Sequence, residues 1–386
     1  MMYKNDNVPE KVAILFTFIF LFSIQTYSQQ DSIQTNNKKK DSFFNRLVHG
    51  NIDRTREKTF DISFISAPSY TREANFGIGG MASGLYRTDR MDSIMPPSNI
   101  TLTFNASVLG FYSIGAKGNN YFRDTKSVLS YNVEFTSKPL DFWGISYDSC
   151  AVNPAIAYTR QQIEIDANYQ YKLLANFYLG GTLDFRYTDI SKIDNVAYLQ
   201  GQKKSYIATG LGISLQYDSR DFIPNPKKGL YLMLRQSVFP NMLGSTNKNT
   251  YRTTVIADTY QSLWNGGVLA FDFFGQLNGN DAPWPLKEML GGNQRMRGYY
   301  AGRYIDNNIV SGQIELRQHL VQRFGCVAWF GGGTVFPSFD KFNVQHLLPT
   351  YGIGLRWEFK HNVNARIDYG FGKQTGGFVF NIGEAF

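Results

Sequence analysis

The sequence is poor in the residues that build metal, redox or hydrolytic sites. Cys150 and Cys326 are its two cysteines, and they lie far apart without a CxxC or Cys/His spacing, which argues against a metal or redox centre. The four histidines show no HExxH spacing, and the chain has no GxSxG nucleophile elbow. We therefore predict no enzyme, no metal and no cofactor.

Long apolar runs are also lacking, apart from one at the N-terminus. Lys4 and Lys11 precede the apolar stretch from Val12 to Ile24, and small residues follow it up to Ser28. This stretch is shorter than the ~20 residues of a spanning helix and has the layout of a secretory signal peptide. We predict a signal peptide over 1–28 and export by the Sec route, so any later membrane contact must be made by strands.

Basic residues are in excess but not clustered on one segment. The net charge is +8, yet Lys and Arg are scattered singly, so we predict no nucleic-acid partner and expect contact with anionic outer-membrane lipids instead. A polar run with Lys38, Lys39 and Lys40 lacks an apolar period. Residues 29–58 are therefore predicted to be a short flexible periplasmic leader.

Aromatic residues and glycine are abundant, and they indicate a β-barrel. Aromatics make up 16% of the chain, which has 36 glycines, while the mean hydropathy is only −0.29. A membrane barrel has such a composition because only every second residue of a strand meets lipid. We predict an all-β fold in which residues 59–386 form one transmembrane β-barrel.

The strands are indicated by a strict period of two. Between Gln162 and Leu173, apolar residues alternate with polar ones, and the same order recurs over 99–108 and 362–369. Continued along the chain, this pattern predicts about sixteen antiparallel strands, an even number typical of bacterial barrels. The sixth strand is predicted over 161–173 and the last over 376–386.

A water-soluble β-sandwich would alternate in a similar way. Aromatic residues on the apolar face near strand ends favour the barrel, since they suit an interfacial girdle. The last predicted strand closes on Phe386, which resembles the C-terminal sorting signal of outer-membrane barrels. We therefore expect an integral protein of the bacterial outer membrane.

One long segment between strands, residues 278–308, carries a recognisable tripeptide. Arg297, Gly298 and Tyr299 stand within it, and a loop of this length is usually functional. Here the chain resembles the bacterial surface antigen family, which comprises outer-membrane protein assembly factors and two-partner-secretion barrels. The resemblance implies a long sixth extracellular loop that folds into the barrel with this tripeptide at its tip.

Two further features support the resemblance. Five predicted strands follow the loop, as in the family. The run DSRDFIPNPKKG resembles the family's turn between the eighth and ninth strands, with Asp218, Arg220, Asp221 and Gly229 as its motif residues.

The same resemblance implies a loop latch. Glu315 lies on the polar row of the strand after the loop, where it faces the interior and can pair with Arg297 through directional Arg–carboxylate bonds. Gly298 would permit close backbone approach, and Tyr299 would stack on the wall.

The sequence departs from the family at one place. Family members often carry an Asp on the following strand, whereas residues 329–333 read Trp-Phe-Gly-Gly-Gly. We therefore expect the latch to depend on Glu315, with support from Arg303 and Asp306 of the loop.

By resemblance, the function is insertion or translocation of proteins at the outer membrane. Its clients would be outer-membrane or secreted proteins, and a client strand would pair with an opened seam between the first and last strands. Residues 29–58 are too short for a periplasmic polypeptide-transport domain. Client capture by this monomeric barrel would then need a periplasmic partner, or the function has drifted from that of the family. The alternatives are a solute or lipid conduit and, less favoured, an outer-membrane lipid hydrolase.

Overall fold

The computed structural model describes residues 60–71, 75–88, 97–122, 126–223, 225–279, 282–360 and 363–386. The signal peptide predicted over 1–28 and the leader predicted over 29–58 lie outside these residues. No helix within the described ranges has the length and apolar character needed to cross a membrane.

The described chain forms one antiparallel sheet of 16 strands in sequence order, together with a small two-stranded sheet. The number of large strands predicted from the alternation is confirmed. The strands of the large sheet are β1 (Asp61–Thr71), β2 (Asn75–Tyr86), β3 (Ser98–Ser107), β4 (Tyr112–Tyr121), β5 (Ser127–Phe142), β6 (Ile156–Leu174), β7 (Phe177–Ile193), β8 (Ser205–Asp218), β9 (Gly229–Phe239), β10 (Thr250–Trp264), β11 (Gly267–Asn278), β14 (Asn308–Val321), β15 (Phe324–Phe336), β16 (Leu348–Lys360), β17 (Val363–Gly372) and β18 (Thr375–Ile382).

The connections carry short elements of their own. The small sheet pairs β12 (Glu288–Leu290) with β13 (Tyr304–Asp306), and the helix α1 spans Tyr147–Val152 with Ser146 as its N-cap. Single turns of 3₁₀ helix occur at Val196–Leu199, Asn241–Leu243, Trp284–Leu286, Phe339–Lys341 and Val344–His346. The long segment between β11 and β14 is therefore structured.

The outer face of the sheet is apolar and its inner face is polar, which is the reverse of a water-soluble β-sandwich. Phe64, Phe330 and Ile353 expose 78%, 64% and 66% of their surface, whereas Asp272, Glu315 and Asp368 are fully buried at 0%. An apolar face toward the surroundings and a polar face within are what lipid and an aqueous interior require. The sandwich alternative is thereby excluded.

The sheet curves until its two edges lie side by side. Residues of β1 and β18 approach within 8 Å, Cα to Cα, although the strand order begins at β1 and ends at β18 with no ladder between them in the described part of the chain. All other neighbouring strands are joined by antiparallel ladders. We call the junction of β1 and β18 the seam.

The limits predicted for the sixth and the last strand were wrong. The sixth strand runs over Ile156–Leu174 and not 161–173, because its first residues extend beside β5 and β7 into a buried aromatic cluster that contains Phe142, Tyr158 and Ile190. The last strand ends at Ile382 and not at Phe386. Gly383 adopts φ +86°, which turns the chain out of the strand direction.

Candidate functional site

Residues 282–307, here called the crossing loop, lie against the polar face of the sheet. Trp284 donates its indole N–H to Lys203 O at 3.1 Å, and Arg252 of β10 donates to Leu286 O at 2.8 Å. Tyr300 Oη accepts the backbone N–H of Asp141 at 3.0 Å. The loop is thus anchored on both sides of its tip, to β5 and β10 and to the connection before β8.

A buried cluster holds the first and last parts of the crossing loop. Trp284, Tyr300 and Ile305 are its members from the loop. Its members from the sheet and neighbouring connections are Leu140, Phe142, Ile145, Cys150, Tyr158, Ile190, Leu199 and Tyr206. Because this cluster fixes both ends, the residues between them are presented to β14–β18.

Arg297 forms the tip of the crossing loop and is fully buried. Its Nη2 lies 2.7 Å from Glu315 Oε2 and donates to Gln313 Oε1 at 3.2 Å. Its Nη1 lies 2.8 Å from Asp368 Oδ2. A buried guanidinium is tolerated only with such pairing, because an unpaired ion would lose its hydration without compensation.

Trp329 supplies a third kind of contact to the tip. The guanidinium carbon of Arg297 lies 3.7 Å from the centroid of the indole ring, and the Arg297 carbonyl accepts a hydrogen bond from Thr350 Oγ1 at 2.7 Å. Two carboxylates therefore bind the edge of the guanidinium group, and an aromatic ring lies over one of its faces.

Gly298 and Tyr299 close the tip against β16, β17 and β18. Gly298 has φ +100°, and a Cβ there would lie 2.6 Å from the carbonyl carbon of Gly370. The carbonyl oxygen of Gly298 accepts a hydrogen bond from Thr375 Oγ1 of β18 at 3.0 Å. Tyr299 Oη donates to Pro349 O at 2.8 Å and accepts from Lys373 N at 2.7 Å. The tip therefore contacts one strand of the seam directly.

Further arginines surround the two carboxylates. Arg317 Nε lies 2.8 Å from Glu315 Oε1, and Arg356 Nη1 lies 2.6 Å from Asp368 Oδ1. Arg366 Nη1 lies 2.6 Å from Asp368 Oδ2. With Glu384, which lies 2.8 Å from Arg356 Nε, these side chains and Arg297 make up what we call the arginine–carboxylate network.

Comparison with known proteins was decisive for the family. The family model for the Omp85 superfamily domain matches residues 109–386, which is well over half of the chain. The chain belongs to the Omp85 superfamily. It is therefore an integral β-barrel of the bacterial outer membrane, in a family of assembly and transport barrels that are not enzymes.

Solved structures of Omp85 barrels share the fold at low sequence identity. BamA from Haemophilus ducreyi lacking POTRA domains 1–3 superposes with a TM-score of 0.54 at 12% identity, over 84% of this chain and 70% of that one. CdiB from Acinetobacter baumannii gives 0.54 at 11%, over 85% and 60%. CdiB from Escherichia coli gives 0.56 at 12%, over 83% and 62%.

The Omp85 chain therefore spans less than two thirds of both CdiB chains. A search of curated sequences finds no match.

The structure brings together part of the predicted site. Arg297, Gly298, Tyr299 and Glu315 meet on the polar face, as described above. The second carboxylate, Asp368 on β17, was missed by the sequence analysis. Asp368 could have been found because it lies on the polar row of alternating residues in the strand predicted over 362–371.

Arg303 and Asp306 do not support the tip as expected, because they lie at the far end of the crossing loop. Arg303 donates to Cys150 O and stacks on Trp143, with its guanidinium carbon 4.8 Å from the ring centroid. Asp306 Oδ2 accepts the backbone N–H of Tyr147 at 3.1 Å. They attach the loop to the connection that contains α1.

Burial shifts the pKa values of two groups at the far end of the crossing loop, Asp306 and Cys150. It raises the pKa of the Asp306 carboxyl and raises the pKa of the Cys150 thiol to about 11. Cys150 donates its S–H to Gly144 O at 3.2 Å. The thiol is therefore a packed, protonated group and not a nucleophile.

The predicted turn motif forms a self-contained unit between β8 and β9. Arg220 binds Asp218 through Nε and Nη2 at 2.9 and 2.7 Å, and Asp221 Oδ1 accepts Lys227 N at 2.9 Å. Gly229 has φ +115°, and a Cβ there would lie 2.4 Å from Ser219 O. These residues shape the turn and do not contact Arg297.

Metal chemistry finds no support in the described ranges. They hold no group of three or more His, Cys, Asp or Glu side chains that could bind an ion. The polar face is instead filled by Arg–carboxylate pairs, such as Arg295 with Asp272 at 2.6 Å. Such pairs form directional, charge-assisted hydrogen bonds.

Proposed function

We propose that this Omp85 barrel assists insertion or translocation of proteins at the outer membrane. The seam carries the proposal. Within the described residues β1 and β18 lie together but share no ladder. In lipid, unpaired backbone groups cost several kcal/mol each, so such an edge favours pairing with another strand. A client strand supplies that pairing by β-augmentation.

We further propose that the sheet is a closed barrel with the crossing loop inside it. The loop contacts β5 through Tyr300, β14 through Glu315 and β17 through Asp368. Only a sheet that wraps around the loop can present these strands to it together. The interior is then occupied, which argues against a freely open solute pore.

The crossing loop belongs to the extracellular end in this arrangement. It shares its end of the sheet with the long connections 143–155, 194–204, 240–249 and 337–347 and with the tight turn 373–374. The other end has tight turns at 175–176, 265–266 and 322–323 and one ten-residue turn, 219–228. Outer-membrane barrels have short periplasmic turns and long extracellular loops. Counted along the large strands, the crossing loop is the sixth extracellular loop.

The latch of Arg297 on Glu315 and Asp368 would set how readily the seam opens. The tip is bound to β17, and Gly298 O accepts from Thr375 of β18. A latched tip thus holds the last strand of the seam in place. Release of Arg297 would free β18 to move away from β1.

Unfolded outer-membrane or secreted proteins are the proposed clients, delivered by a periplasmic partner. The test uses proteoliposomes that contain the purified barrel and a urea-unfolded eight-stranded outer-membrane protein, with insertion followed by protease resistance. We expect the wild type to accelerate insertion over empty liposomes and Arg297→Ala to change the rate. Lys341→Ala, which removes an exposed cation from another loop, is the matched control and should behave as wild type.

A photo-crosslinker distinguishes binding of the client at the seam from a non-specific acceleration of client insertion. Placed at Phe64 on the exposed face of β1, it should capture the client during insertion, whereas the same group at Leu316 of β14 should not. Both positions are outward-facing apolar residues. Absence of acceleration, together with steady solute flux that ignores Arg297, would make the barrel a solute conduit instead.

A further inference from the structure

The residues after β18 turn into the barrel. Gly383 has φ +86°, and its N–H donates to Asn364 O at 2.7 Å. The side chain of Glu384 is 2% exposed, and Ala385 is 3% exposed. Residues 383–386, here called the tail, thus lie among the interior side chains.

Glu384 is bound on both carboxylate oxygens. Its Oε2 accepts from Arg356 Nε at 2.8 Å, and its Oε1 accepts from Asn364 Nδ2 at 2.6 Å. Arg317 Nε lies 3.9 Å from Oε2. A buried carboxylate held this way contributes directional, charge-assisted bonds.

Phe386 occupies a second part of the same site. Its carbonyl accepts from Arg317 Nη2 at 3.0 Å, and its ring centroid lies 5.1 Å from the Arg317 guanidinium carbon. The ring also stacks on Tyr260, with centroids 6.2 Å apart. Arg317 therefore binds the tail through both a backbone oxygen and an aromatic face.

The charge balance shows why the tail is held. The arginine–carboxylate network has four guanidiniums and three carboxylates, and Glu384 is one of the three. Arg317 Nη1 and Arg356 Nη2 are buried and donate no hydrogen bond within the described residues. Without Glu384, two side-chain carboxylates would face four buried guanidiniums, a costly excess in an interior of low dielectric.

We propose that Arg317 and Arg356 form a binding site for a short acidic and aromatic peptide segment, occupied here by the chain's own tail. The occupied site closes the barrel from its periplasmic end, as the crossing loop closes it from the other. This inference rests on the closed barrel and the orientation proposed above, and it is independent of what passes the membrane.

The two closures share their arginines. Arg317 bonds Glu315 as well as Phe386, and Arg356 bonds Asp368 as well as Glu384. Glu315 and Asp368 are also the carboxylates of Arg297. Binding of the tail and of the loop tip is therefore coupled, and coupling of this kind is reciprocal.

The first experiment measures the open probability of the full-length barrel in planar bilayers. Glu384→Gln keeps the shape of the side chain but removes its charge, and we expect at least a tenfold rise in open probability. Glu134→Gln, an interior carboxylate of β5 outside the network, is the matched control and should stay near wild type. A Glu384→Gln barrel as closed as wild type would overturn the proposal.

Peptide rescue tests the binding site itself. The peptide Asn-Ile-Gly-Glu-Ala-Phe, added on the periplasmic side of the Glu384→Gln barrel, should restore closure, and the same peptide with Gln for Glu should need at least tenfold more. Equal potency of the two peptides, or no closure with either, would refute a specific site.

Cysteine labelling tests the coupling without reference to conductance. In a background with Cys150→Ser and Cys326→Ser, Ala385→Cys should react slowly with a maleimide from the periplasmic side, because Ala385 is buried. Arg297→Ala should speed labelling several-fold. An unchanged rate would show that tail and loop are independent and would overturn the coupling.

Discussion

Arg297 and Trp329 lie face to face in the barrel, with the guanidinium carbon 3.7 Å from the indole centroid. Trp329 is opposite Glu315 in the ladder between β14 and β15, so these two neighbours give Arg297 an aromatic ring and a carboxylate. Its ring has room because the next two strands place glycine beside it: Trp329 is opposite Gly352, and Gly352 is opposite Gly370. The second carboxylate that binds Arg297 is that of Asp368 on β17.

Trp329→Leu should release the crossing loop more often. A desolvated cation–π contact is worth about 2 kcal/mol, roughly a 30-fold shift in an equilibrium. We expect the open probability of the Trp329→Leu barrel in planar bilayers to rise by up to roughly 30-fold. The open probability of Trp329→Phe should lie between those of Trp329→Leu and the wild type. Trp264→Leu, at an exposed tryptophan, is the control. Equal behaviour of Trp329→Leu and wild type would mean that the ring is only a spacer.

Asp368→Asn should disturb closure more than Glu315→Gln does. Asp368 binds three guanidiniums, those of Arg297, Arg356 and Arg366, whereas Glu315 has close bonds to Arg297 and Arg317. Removing one partner of a buried pair costs about 3–5 kcal/mol. Open probability and the urea midpoint of unfolding measure the two effects. A larger effect of Glu315→Gln on both would contradict the geometry.

Gly298→Ala should prevent the tip from seating. The position has φ +100°, and the new Cβ would meet the backbone of Gly370 at 2.6 Å. A substitution in this conformation costs of order 1–3 kcal/mol before the clash is added. Trypsin cleavage of the crossing loop in the folded barrel should accelerate. Gly181→Ala, which has open space around its Cβ, should cleave like wild type, and acceleration in both variants would point to general loosening.

The alternation of residues was sufficient to predict the strands and to place Glu315 on the inner row. It could not pair Arg297 with Asp368, because three ladders separate β14 from β17 and each register had to be known. A slip of two residues in any of them moves a side chain by about 7 Å. Asp368 was therefore visible on a polar row without a predictable partner.

The inward turn of the tail was unpredictable for a different reason. Phe378, Phe380 and Ile382 continue the apolar row toward Phe386, so the pattern favours a longer strand. Gly383 permits positive φ but does not require it. The tail turns inward because Arg356 binds Glu384 and Arg317 binds the backbone oxygen of Phe386. Both arginines lie far from the tail in sequence.

Gly229→Ala should weaken the barrel without opening the latch. The turn needs φ +115°, and a Cβ would lie 2.4 Å from Ser219 O. We expect a lower unfolding temperature in heat-modifiability gels, since strain of this kind costs about 1–3 kcal/mol. At temperatures below unfolding, the open probability of the Gly229→Ala barrel in planar bilayers should equal that of the wild type, because the turn does not contact Arg297. A rise in open probability would link the turn to the latch.

Cys150 should report on the attachment of the crossing loop. Burial raises the pKa of its thiol to about 11, so at pH 8 the thiol remains protonated and alkylation in the folded barrel should be slow. In a Cys326→Ser background, Arg303→Ala removes the hydrogen bond to Cys150 O and should accelerate iodoacetamide labelling at pH 8 several-fold. The thiolate fraction of Cys150 rises toward pH 10 in both proteins, so both should be labelled faster there than at pH 8. Fast labelling of the wild type at pH 8 would show that Cys150 is not held as described, and the loop would then be free of α1 in solution.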